Sequence, residues 1–185
     1  MFPEILTEAR SLVLERISNI IDSKSKVSES MLYTSTADSK MIRSALLLSA
    51  SKKNTSMSQS SAINLATSIE LLHSYSLIHD DLPSMDDDTI RRGKPSTHIK
   101  FGEATAILAG NSLLTMAFEI LSHKDLKVSA KVKNDLINKI SESSGHLGIA
   151  GGQYLDLNFE RKKISKRRIL EMEIKKTGKL FSFCC

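Results

Sequence analysis

The chain has 185 residues, of which 41% are hydrophobic and 25% are charged, and its formal net charge is +5 at pH 7. These values are ordinary for a soluble globular protein and predict one domain, residues 1–185. The N-terminus lacks the basic segment and apolar core of a secretory signal, and we see no apolar run that approaches the length of a membrane span. We therefore expect a cytoplasmic protein with no stable membrane insertion.

Charge and cysteine positions narrow the function classes further. The densest basic stretch comprises Arg161, Lys162, Lys163, Lys166, Arg167 and Arg168. Only Phe159 lies near it in sequence, so no aromatic ladder is present to stack nucleic-acid bases. We interpret the stretch as a solvated helix face and expect no nucleic-acid partner. Cys184 and Cys185 are the last two residues, which excludes an internal disulfide framework and a CxxC metal site. We interpret this pair as an incidental tail.

Apolar residues recur at helical spacing along the chain and no alternating strand pattern is convincing, so we predict an all-α protein. The first helix is marked by Ile5, Leu12, Ile17 and Ile20, and the second by Ile42, Leu46 and Ala50. A Ser-rich connection at 49–61 follows. The third helix is marked by Ile63, Ala66, Ile69, Leu72 and Ser76 and continues into a group of aspartates. Pro83 and Pro95 then bracket a loop.

Three further helices are predicted beyond this loop. Residues 103–122 are rich in Ala, Leu and Met and predict a fourth, buried helix. Residues 128–157 predict a fifth helix, and residues 165–176 predict a sixth. The fifth is interrupted or bent at Gly145, Gly148, Gly151 and Gly152. These glycines match no phosphate-binding loop after a strand, so we expect them to permit close contact between helices.

The most informative segment is residues 80–98, D-D-L-P-S-M-D-D-D-T-I-R-R-G-K-P-S-T-H, which places five carboxylates and two adjacent arginines within thirteen residues. Mg²⁺ prefers oxygen ligands, of which one or two are protein carboxylates and the others are water or phosphate oxygens. Arginine complements such a site because its guanidinium binds phosphate through two parallel hydrogen bonds. The segment predicts a site for a diphosphate that binds with Mg²⁺. The alternatives are a solvated acidic loop or helix end, and a calcium-binding module, for which the twelve-residue EF-hand pattern is absent.

Helix geometry relates this segment to the helix before it. His73 and Asp80 are seven residues apart, a rotation of about 700°, so they point nearly the same way, with Ser76 between them. Asp80 and Asp86 are six apart, about 600°, and would diverge on an unbroken helix. Pro83 must therefore bend or extend the backbone if both carboxylates are to reach one metal cluster.

Residues 71–110, L-L-H-S-Y-S-L-I-H-D-D-L-P-S-M-D-D-D-T-I-R-R-G-K-P-S-T-H-I-K-F-G-E-A-T-A-I-L-A-G, resemble the first aspartate-rich region of the trans-polyprenyl diphosphate synthases. They are most similar to the bacterial farnesyl diphosphate synthase branch. Two further elements match in the expected order, Gly151-Gly152-Gln153-x-x-Asp156 and Lys176-Thr177-Gly178. The resemblance implies an isoprenoid synthase-type helical bundle around a central cavity, forming a homodimer. It also implies condensation of isopentenyl diphosphate with an allylic diphosphate, with Mg²⁺ as cofactor.

The resemblance also implies a role for each matching residue. Asp80 and Asp86 match metal-binding aspartates, and Arg91, Lys176 and Thr177 match contacts to the allylic diphosphate. Lys40, Arg43, His73 and Arg92 match residues that bind isopentenyl diphosphate. Asp80, Asp86, Arg91 and Lys176 would form the catalytic set, and Gln153 and Asp156 are expected at the cavity rim. Tyr75 matches an aromatic residue that limits product length, which favours a fifteen-carbon product.

The chain departs from the family pattern in three places. The element G-K-R-x-R-P appears as Ser39-Lys40-Met41-Ile42-Arg43-Ser44, which keeps two cations but loses the glycine, one arginine and the proline. Asn111 stands where the family commonly has aspartate. The printed sequence ends soon after Lys176-Thr177-Gly178, before the family's second aspartate-rich motif. We therefore expect a partial polyprenyl synthetase domain without its C-terminal helices. Two hypotheses follow: a prenyltransferase that forms farnesyl diphosphate, or a catalytically inactive remnant or diphosphate-binding partner subunit.

Overall fold

The computed structural model describes residues 2–53, 57–160 and 162–185, except for the side chain of Phe2. The described residues form two compact units, divided between Val128 and Ser129. A single domain over residues 1–185 stays a prediction. Part of the Ser-rich connection, residues 54–56, lies outside the described residues, as does Arg161 of the basic stretch. The described residues of that stretch are exposed as predicted, but Lys162 and Lys163 precede the helix on which Lys166, Arg167 and Arg168 lie. The Arg168 guanidinium lies 5.1 Å from the ring centre of Phe159.

The first unit contains six helices and one short hairpin within its described residues. Their bounds are α1 Phe2–Ile20, α2 Lys26–Ser35, α3 Ile42–Ser51, α4 Gln59–Asp80, β1 Ile90–Arg91, β2 Lys94–Pro95, α5 Thr97–Phe101 and α6 Glu103–Ser122. Fourteen of the 22 residues of α4 are buried, which makes it the central helix of this unit. α4 packs against α6, α3 and α1, and its fully buried side chains include Ile69, Leu71, Leu72 and Ile78.

Helix α6 has the predicted bounds, Glu103–Ser122, but only one of its faces is buried. Ala109, Leu113 and Ala117 lie in the core, whereas Ile107 and Leu108 are exposed. The expectation of a buried helix was therefore wrong for half of its surface. The expectation that no apolar run reaches the length of a membrane span was also wrong, because α6 is long and apolar enough by length and composition. Core helices of soluble proteins meet the same criterion, and α6 is tied to α4 by the Ser68 hydroxyl, which donates to the Ala117 carbonyl at 2.8 Å.

Helix α2 is absent from the sequence prediction, although a capping signal precedes it. The Ser25 hydroxyl accepts the backbone N–H of Ser28, and the Ser28 hydroxyl accepts that of Ser25, which forms a reciprocal capping box. The helix anchors the loop that follows α4. The Tyr33 hydroxyl donates to the Pro95 carbonyl at 2.8 Å, and the Thr34 and Thr97 hydroxyls share a buried hydrogen bond of 2.6 Å.

Strands β1 and β2 are a small correction to the all-helical prediction. They pair antiparallel with Arg91 opposite Lys94, so the connecting turn consists of two residues, Arg92 and Gly93. Both turn residues have positive φ, +53° and +74° respectively. Such two-residue turns match the twist of antiparallel strands, and glycine adopts this conformation at no steric cost.

Helices are the only regular secondary structure among the described residues of the second unit. Its elements are α7 Ala130–Ser144, α8 Ile149–Phe159, α9 Lys166–Glu173, a π-helix Ile174–Gly178 and α10 Lys179–Phe183. The predicted fifth helix is two helices, separated at Gly145–Gly148, and the predicted sixth continues as the π-helix. The cysteine pair is not a loose tail: Cys184 is buried and its thiol donates to the Leu180 carbonyl at 3.1 Å, while Cys185 is exposed.

Candidate functional site

The turn after α4 brings the backbone of Asp86 against that of Asp80. The chain folds back through two hydrogen bonds to the Leu82 carbonyl, from the N–H of Met85 at 2.8 Å and of Asp87 at 3.2 Å. The Asp86 N–H then donates to the Asp80 carbonyl at 2.9 Å. The helix therefore ends at Asp80 and the six-residue separation from Asp86 is closed by the turn that contains Pro83. The change of direction expected from Pro83 is observed.

This turn offers oxygen ligands at the surface. Asp86, Asp87 and Asp88 are exposed and Asp80 is half-buried at the end of α4. Across the described part of the chain, no group of three or more His, Cys, Asp or Glu side chains is assembled as a metal site. Mg²⁺ needs only one or two protein carboxylates because water and phosphate oxygens complete its octahedron. Asp80 and Asp86, whose backbones the turn joins, are the two carboxylates predicted to hold such an ion.

Arg91 is held by two aspartates of the same segment. Its Nε donates to Asp81 Oδ1 at 2.9 Å, and its Nη2 also bonds Asp81 Oδ1 and, at 2.8 Å, Asp88 Oδ2. The Asp81 side chain is 3% exposed, whereas that of Asp88 is 50% exposed. Burial raises the pKa of Asp81 above its usual value, and the hydrogen bonds and charge of Arg91 oppose this shift. These hydrogen bonds occupy Nε and Nη2, so Nη1 is the nitrogen with which Arg91 can bind a phosphate oxygen.

Arg92 occupies the turn between β1 and β2, where its left-handed backbone costs roughly 1–2 kcal/mol for a residue other than glycine. Burial lowers the pKa of Arg92, and the negative charge of Glu70 opposes that shift. The charges of Arg91, Asp38 and Asp81 also act on it. The hairpin thus directs two adjacent arginines differently. Arg91 pairs with Asp81, whereas Arg92 lies within electrostatic reach of Glu70 on α4.

His73 is half-buried on α4, one helical turn after Glu70. Burial, followed by the charges of Arg43, Arg92 and Arg91, lowers the pKa of His73 to about 3. The imidazole is therefore neutral near pH 7 and can both donate and accept a hydrogen bond. The charges of two other residues predicted to bind isopentenyl diphosphate, Arg43 and Arg92, therefore act on His73.

Lys40, the fourth of these residues, is exposed, and no hydrogen bond or ion pair joins it to any residue that the structure describes. Glu70 is the residue that the sequence prediction missed. It is 4% exposed and its Oε1 accepts the Ser44 hydroxyl at 2.7 Å and the Ser44 N–H at 3.2 Å. A signal was available, because Glu70 is the only acidic residue between Gln59 and Ile78, a stretch of otherwise buried helix.

Tyr75, the predicted determinant of product length, is half-buried on α4. Its ring meets the imidazole of His79 edge to face, with centres 5.0 Å apart. Burial raises the pKa of Tyr75, and the charge of Asp80 adds to this shift, which places the phenol within electrostatic reach of Asp80. Gly110 on α6 makes room for His79, since a Cβ there would lie 2.3 Å from His79 Nε2.

In the second unit, Lys176 lies in the π-helix and pairs with Asp156 of α8, Nζ to Oδ2 at 2.6 Å. A Cβ on Gly152 would lie 2.2 Å from the backbone nitrogen of Lys176, so the glycine lets α8 and the π-helix approach closely. This confirms the predicted role of that glycine. Thr177, the neighbouring predicted contact, is exposed. Single π-helical turns are rare in proteins, and those that occur are often found at functional sites.

Three comparisons with known proteins agree. The family model described as Polyprenyl synthetase matches residues 24–185. The farnesyl diphosphate synthase of Bacillus subtilis (strain 168) is 39% identical over 165 residues, which are 89% of this chain and 55% of that protein. The farnesyl diphosphate synthase of Geobacillus stearothermophilus is 38% identical over 95% of this chain and 59% of its own length. The chain thus spans little more than half the length of these relatives.

Solved structures show the same likeness. A FPP/GFPP synthase from Zymomonas mobilis superposes with a TM-score of 0.91 at 33% identity, over 99% of this chain and 67% of that one. A geranyltransferase from Legionella pneumophila superposes with a TM-score of 0.88 at 34% identity, over 100% of this chain and 66% of that one. The predicted helical fold and the resemblance to bacterial farnesyl diphosphate synthases are confirmed. By its sequence and by its fold, the chain belongs to the polyprenyl synthetase family.

Proposed function

We propose that this chain acts as a prenyltransferase that condenses isopentenyl diphosphate with an allylic diphosphate and forms farnesyl diphosphate. One observation carries the proposal: the Asp86 N–H bonds the Asp80 carbonyl, next to an arginine that Asp81 and Asp88 hold in place. The arrangement supplies oxygen ligands for Mg²⁺ and a cation for phosphate at one end of one helix. The farnesyl diphosphate synthases to which the chain is similar support the same substrate class.

Each group has a distinct task in this reaction. Asp80 and Asp86 would hold Mg²⁺, which as a Lewis acid supplies positive charge to the allylic diphosphate. Arg91, through Nη1, and Lys176 bind that diphosphate and stabilise the negative charge that grows as the allylic C–O bond breaks. Lys40, Arg43 and Arg92 bind the diphosphate of isopentenyl diphosphate, and neutral His73 donates a hydrogen bond to it.

The bond changes balance without a side-chain nucleophile. The allylic carbon loses its bond to the diphosphate oxygen, and the double bond of isopentenyl diphosphate supplies the electron pair for the new carbon–carbon bond. A proton then leaves the condensed product, and the released diphosphate accepts it. Tyr75 would limit the product to fifteen carbons.

Two measurements test the proposal. The purified chain is incubated with Mg²⁺, isopentenyl diphosphate and geranyl diphosphate, and products are identified by mass spectrometry. Binding of a non-reactive geranyl thiolodiphosphate is measured in parallel by calorimetry, with Mg²⁺ and with EDTA. We expect Asp80→Asn and Asp86→Asn to weaken Mg²⁺-dependent binding by at least about tenfold, because each removes a charged ligand. Asp87→Asn is the matched control, since Asp87 is exposed in the same turn and asparagine tolerates its φ of +51°.

The outcomes separate the hypotheses. Farnesyl diphosphate formation that depends on Asp80 supports the prenyltransferase. Mg²⁺-dependent binding without any product supports the alternative of an inactive remnant or a diphosphate-binding partner subunit. If EDTA leaves binding unchanged, or if Asp87→Asn weakens it as much as Asp80→Asn, the assignment of the metal ligands is wrong. We also expect a homodimer, which sedimentation of the same sample would check.

A further inference from the structure

Helix α3 begins without a cap of its own. Its N-cap residue, Met41, has a φ of +44° and makes no side-chain cap, so the first backbone N–H groups depend on other partners. Glu70 of α4 supplies one of them. Its Oε1 accepts both the N–H of Ser44, at 3.2 Å, and the Ser44 hydroxyl, at 2.7 Å. A carboxylate is favourable here because the N-terminal end of a helix carries partial positive charge.

Two predicted substrate-binding cations act on the Ser44–Glu70 pair. Arg43 precedes Ser44 in the first turn of α3, and the charge of Arg92 in the hairpin acts on Glu70. Burial raises the pKa of Glu70, whereas the Ser44 hydrogen bonds and then the charges of Arg43 and Arg92 oppose that shift. Ser44 is 0% exposed and Glu70 is 4% exposed, so the geometry of the pair is set by packing on all sides.

Ser44 is also a point at which this chain departs from the family pattern. The proline of the G-K-R-x-R-P element stands at this position, and a proline has neither a backbone N–H nor a hydroxyl to donate. Both hydrogen bonds to Glu70 therefore depend on Ser44 and would be lost with a proline at this position. The same short element has lost one arginine, which leaves Lys40 and Arg43 as its cations.

We propose that Ser44 and Glu70 are a positioning pair, which fixes Arg43 and Arg92 in the orientation that binds the diphosphate of isopentenyl diphosphate. The inference rests on the function proposed above and adds two residues to it. Neither residue is required to touch the substrate. Ser44 fixes the turn that carries Arg43, and the Glu70 carboxylate attracts both guanidiniums from within the core.

The test compares how each variant changes the binding of two ligands. We measure by calorimetry the dissociation constants for isopentenyl diphosphate and for geranyl thiolodiphosphate with Mg²⁺, using the full chain. Ser44→Ala and Glu70→Gln should each weaken isopentenyl diphosphate binding by about fivefold to tenfold, the size expected for the loss of one ordinary hydrogen bond. Binding of geranyl thiolodiphosphate should change by less than about twofold. Ser44→Thr, which keeps the hydroxyl and the N–H, should restore isopentenyl diphosphate binding.

Ser68→Ala is the matched control. Ser68 lies on α4, is 0% exposed and donates its hydroxyl to a backbone carbonyl of α6, at 2.8 Å. Ser68→Ala should lower the thermal unfolding midpoint as Ser44→Ala does, because both variants lose one buried hydrogen bond. It should leave the dissociation constants for isopentenyl diphosphate and geranyl thiolodiphosphate unchanged.

The pair has no positioning role if Ser44→Ala and Ser68→Ala have the same effect on isopentenyl diphosphate binding, or if both ligands weaken together. Should Ser44→Ala fail to fold, the comparison of Glu70→Gln with Ser44→Thr decides the question in the same way. Failure of the proposed function looks different. In that case the unaltered chain binds neither ligand with Mg²⁺. Isopentenyl diphosphate is then not a substrate, and the proposed role of the pair is wrong as well.

Discussion

Arg91 in the first unit and Lys176 in the second are both predicted to bind the allylic diphosphate, and a carboxylate holds each of them. The two pairs differ in geometry. Arg91 engages Asp81 through both Nε and Nη2 and Asp88 through Nη2, and the Asp81 side chain is 3% exposed. Lys176 contacts Asp156 through its single Nζ, and the Asp156 side chain is 39% exposed.

This difference in geometry indicates how each cation could bind a diphosphate. A planar guanidinium held by a buried carboxylate keeps its direction and presents its remaining nitrogen, so Arg91 is a fixed contact. An ammonium in a partly exposed pair can exchange one anion for another at little cost, because water screens both partners. Lys176 is therefore the cation that can move from Asp156 to a diphosphate, and Arg91 is the one that stays in place.

The prediction with the largest expected effect tests whether Asp81 holds Arg91 in place. Asp81→Asn keeps the shape of the side chain but removes its charge. Arg91 then faces either the amide NH2 group, which is a donor, or the amide oxygen, which is a weaker acceptor than a carboxylate. We expect a loss of about 2 kcal/mol in the free energy of unfolding, measured with urea, because breaking a buried pair leaves its partner uncompensated. Asp88→Asn is the matched control at the exposed end and should cost less than about 0.5 kcal/mol. Equal costs for the two variants would remove the distinction between a fixed and an exchangeable cation.

A second prediction uses His73 as a titratable probe of the arginine charges, since Arg43, Arg92 and Arg91 all act on it. The pKa of His73 is about 3 in the folded chain and about 6.5 when unfolded, so the unfolded state binds more protons between these values. The free energy of unfolding should therefore fall as the pH drops through this window. From pH 7 to pH 5 we expect a loss of about 1 kcal/mol from this group, allowing for its partial exposure.

His73→Gln should flatten this pH dependence, as urea denaturation at pH 7, 6 and 5 would reveal. His146→Gln, at an exposed position of the second unit, is the control and should leave the slope of the unaltered chain. A slope that survives His73→Gln would mean that burial and the arginine charges do not lower the pKa of His73 in the folded chain.

Much of the fold could be predicted from the sequence, because helices with a strong apolar pattern and clear boundary residues can be recognised from the sequence alone. Helix α6 is the best case: Gly102 precedes it with a φ of +86°, and its predicted bounds are those observed. Helix α2 was missed because its ten residues, K-V-S-E-S-M-L-Y-T-S, are mostly polar and carry little apolar periodicity. Its capping box uses serine at both positions and so lacks the usual Glu or Gln.

The partners within the candidate site were less predictable. Five aspartates lie at the end of α4 or soon after it, and the sequence does not reveal that Asp81 is the buried one, since this depends on how the hairpin folds over it. Glu70 and Ser44 are 26 residues apart and meet only because α3 packs against α4. Lys176 and Asp156 meet through a π-helix, which has no reliable sequence pattern. Residue types and spacing therefore indicated the chemistry, whereas tertiary packing decided which charges are paired.

The smallest expected effect tests the exchangeable cation. In a double-mutant cycle with Lys176→Met and Asp156→Asn, we expect a coupling of about 0.5 kcal/mol in the free energy of unfolding, the usual value for a pair that water screens. The coupling should fall further in 1 M salt, because the screening length is then only about 3 Å. A coupling of about 2 kcal/mol or more would make Lys176 as firmly held as Arg91. In that case Asp156 would compete with a diphosphate for the ammonium, and Asp156→Asn would strengthen diphosphate binding where a weak pair predicts little change.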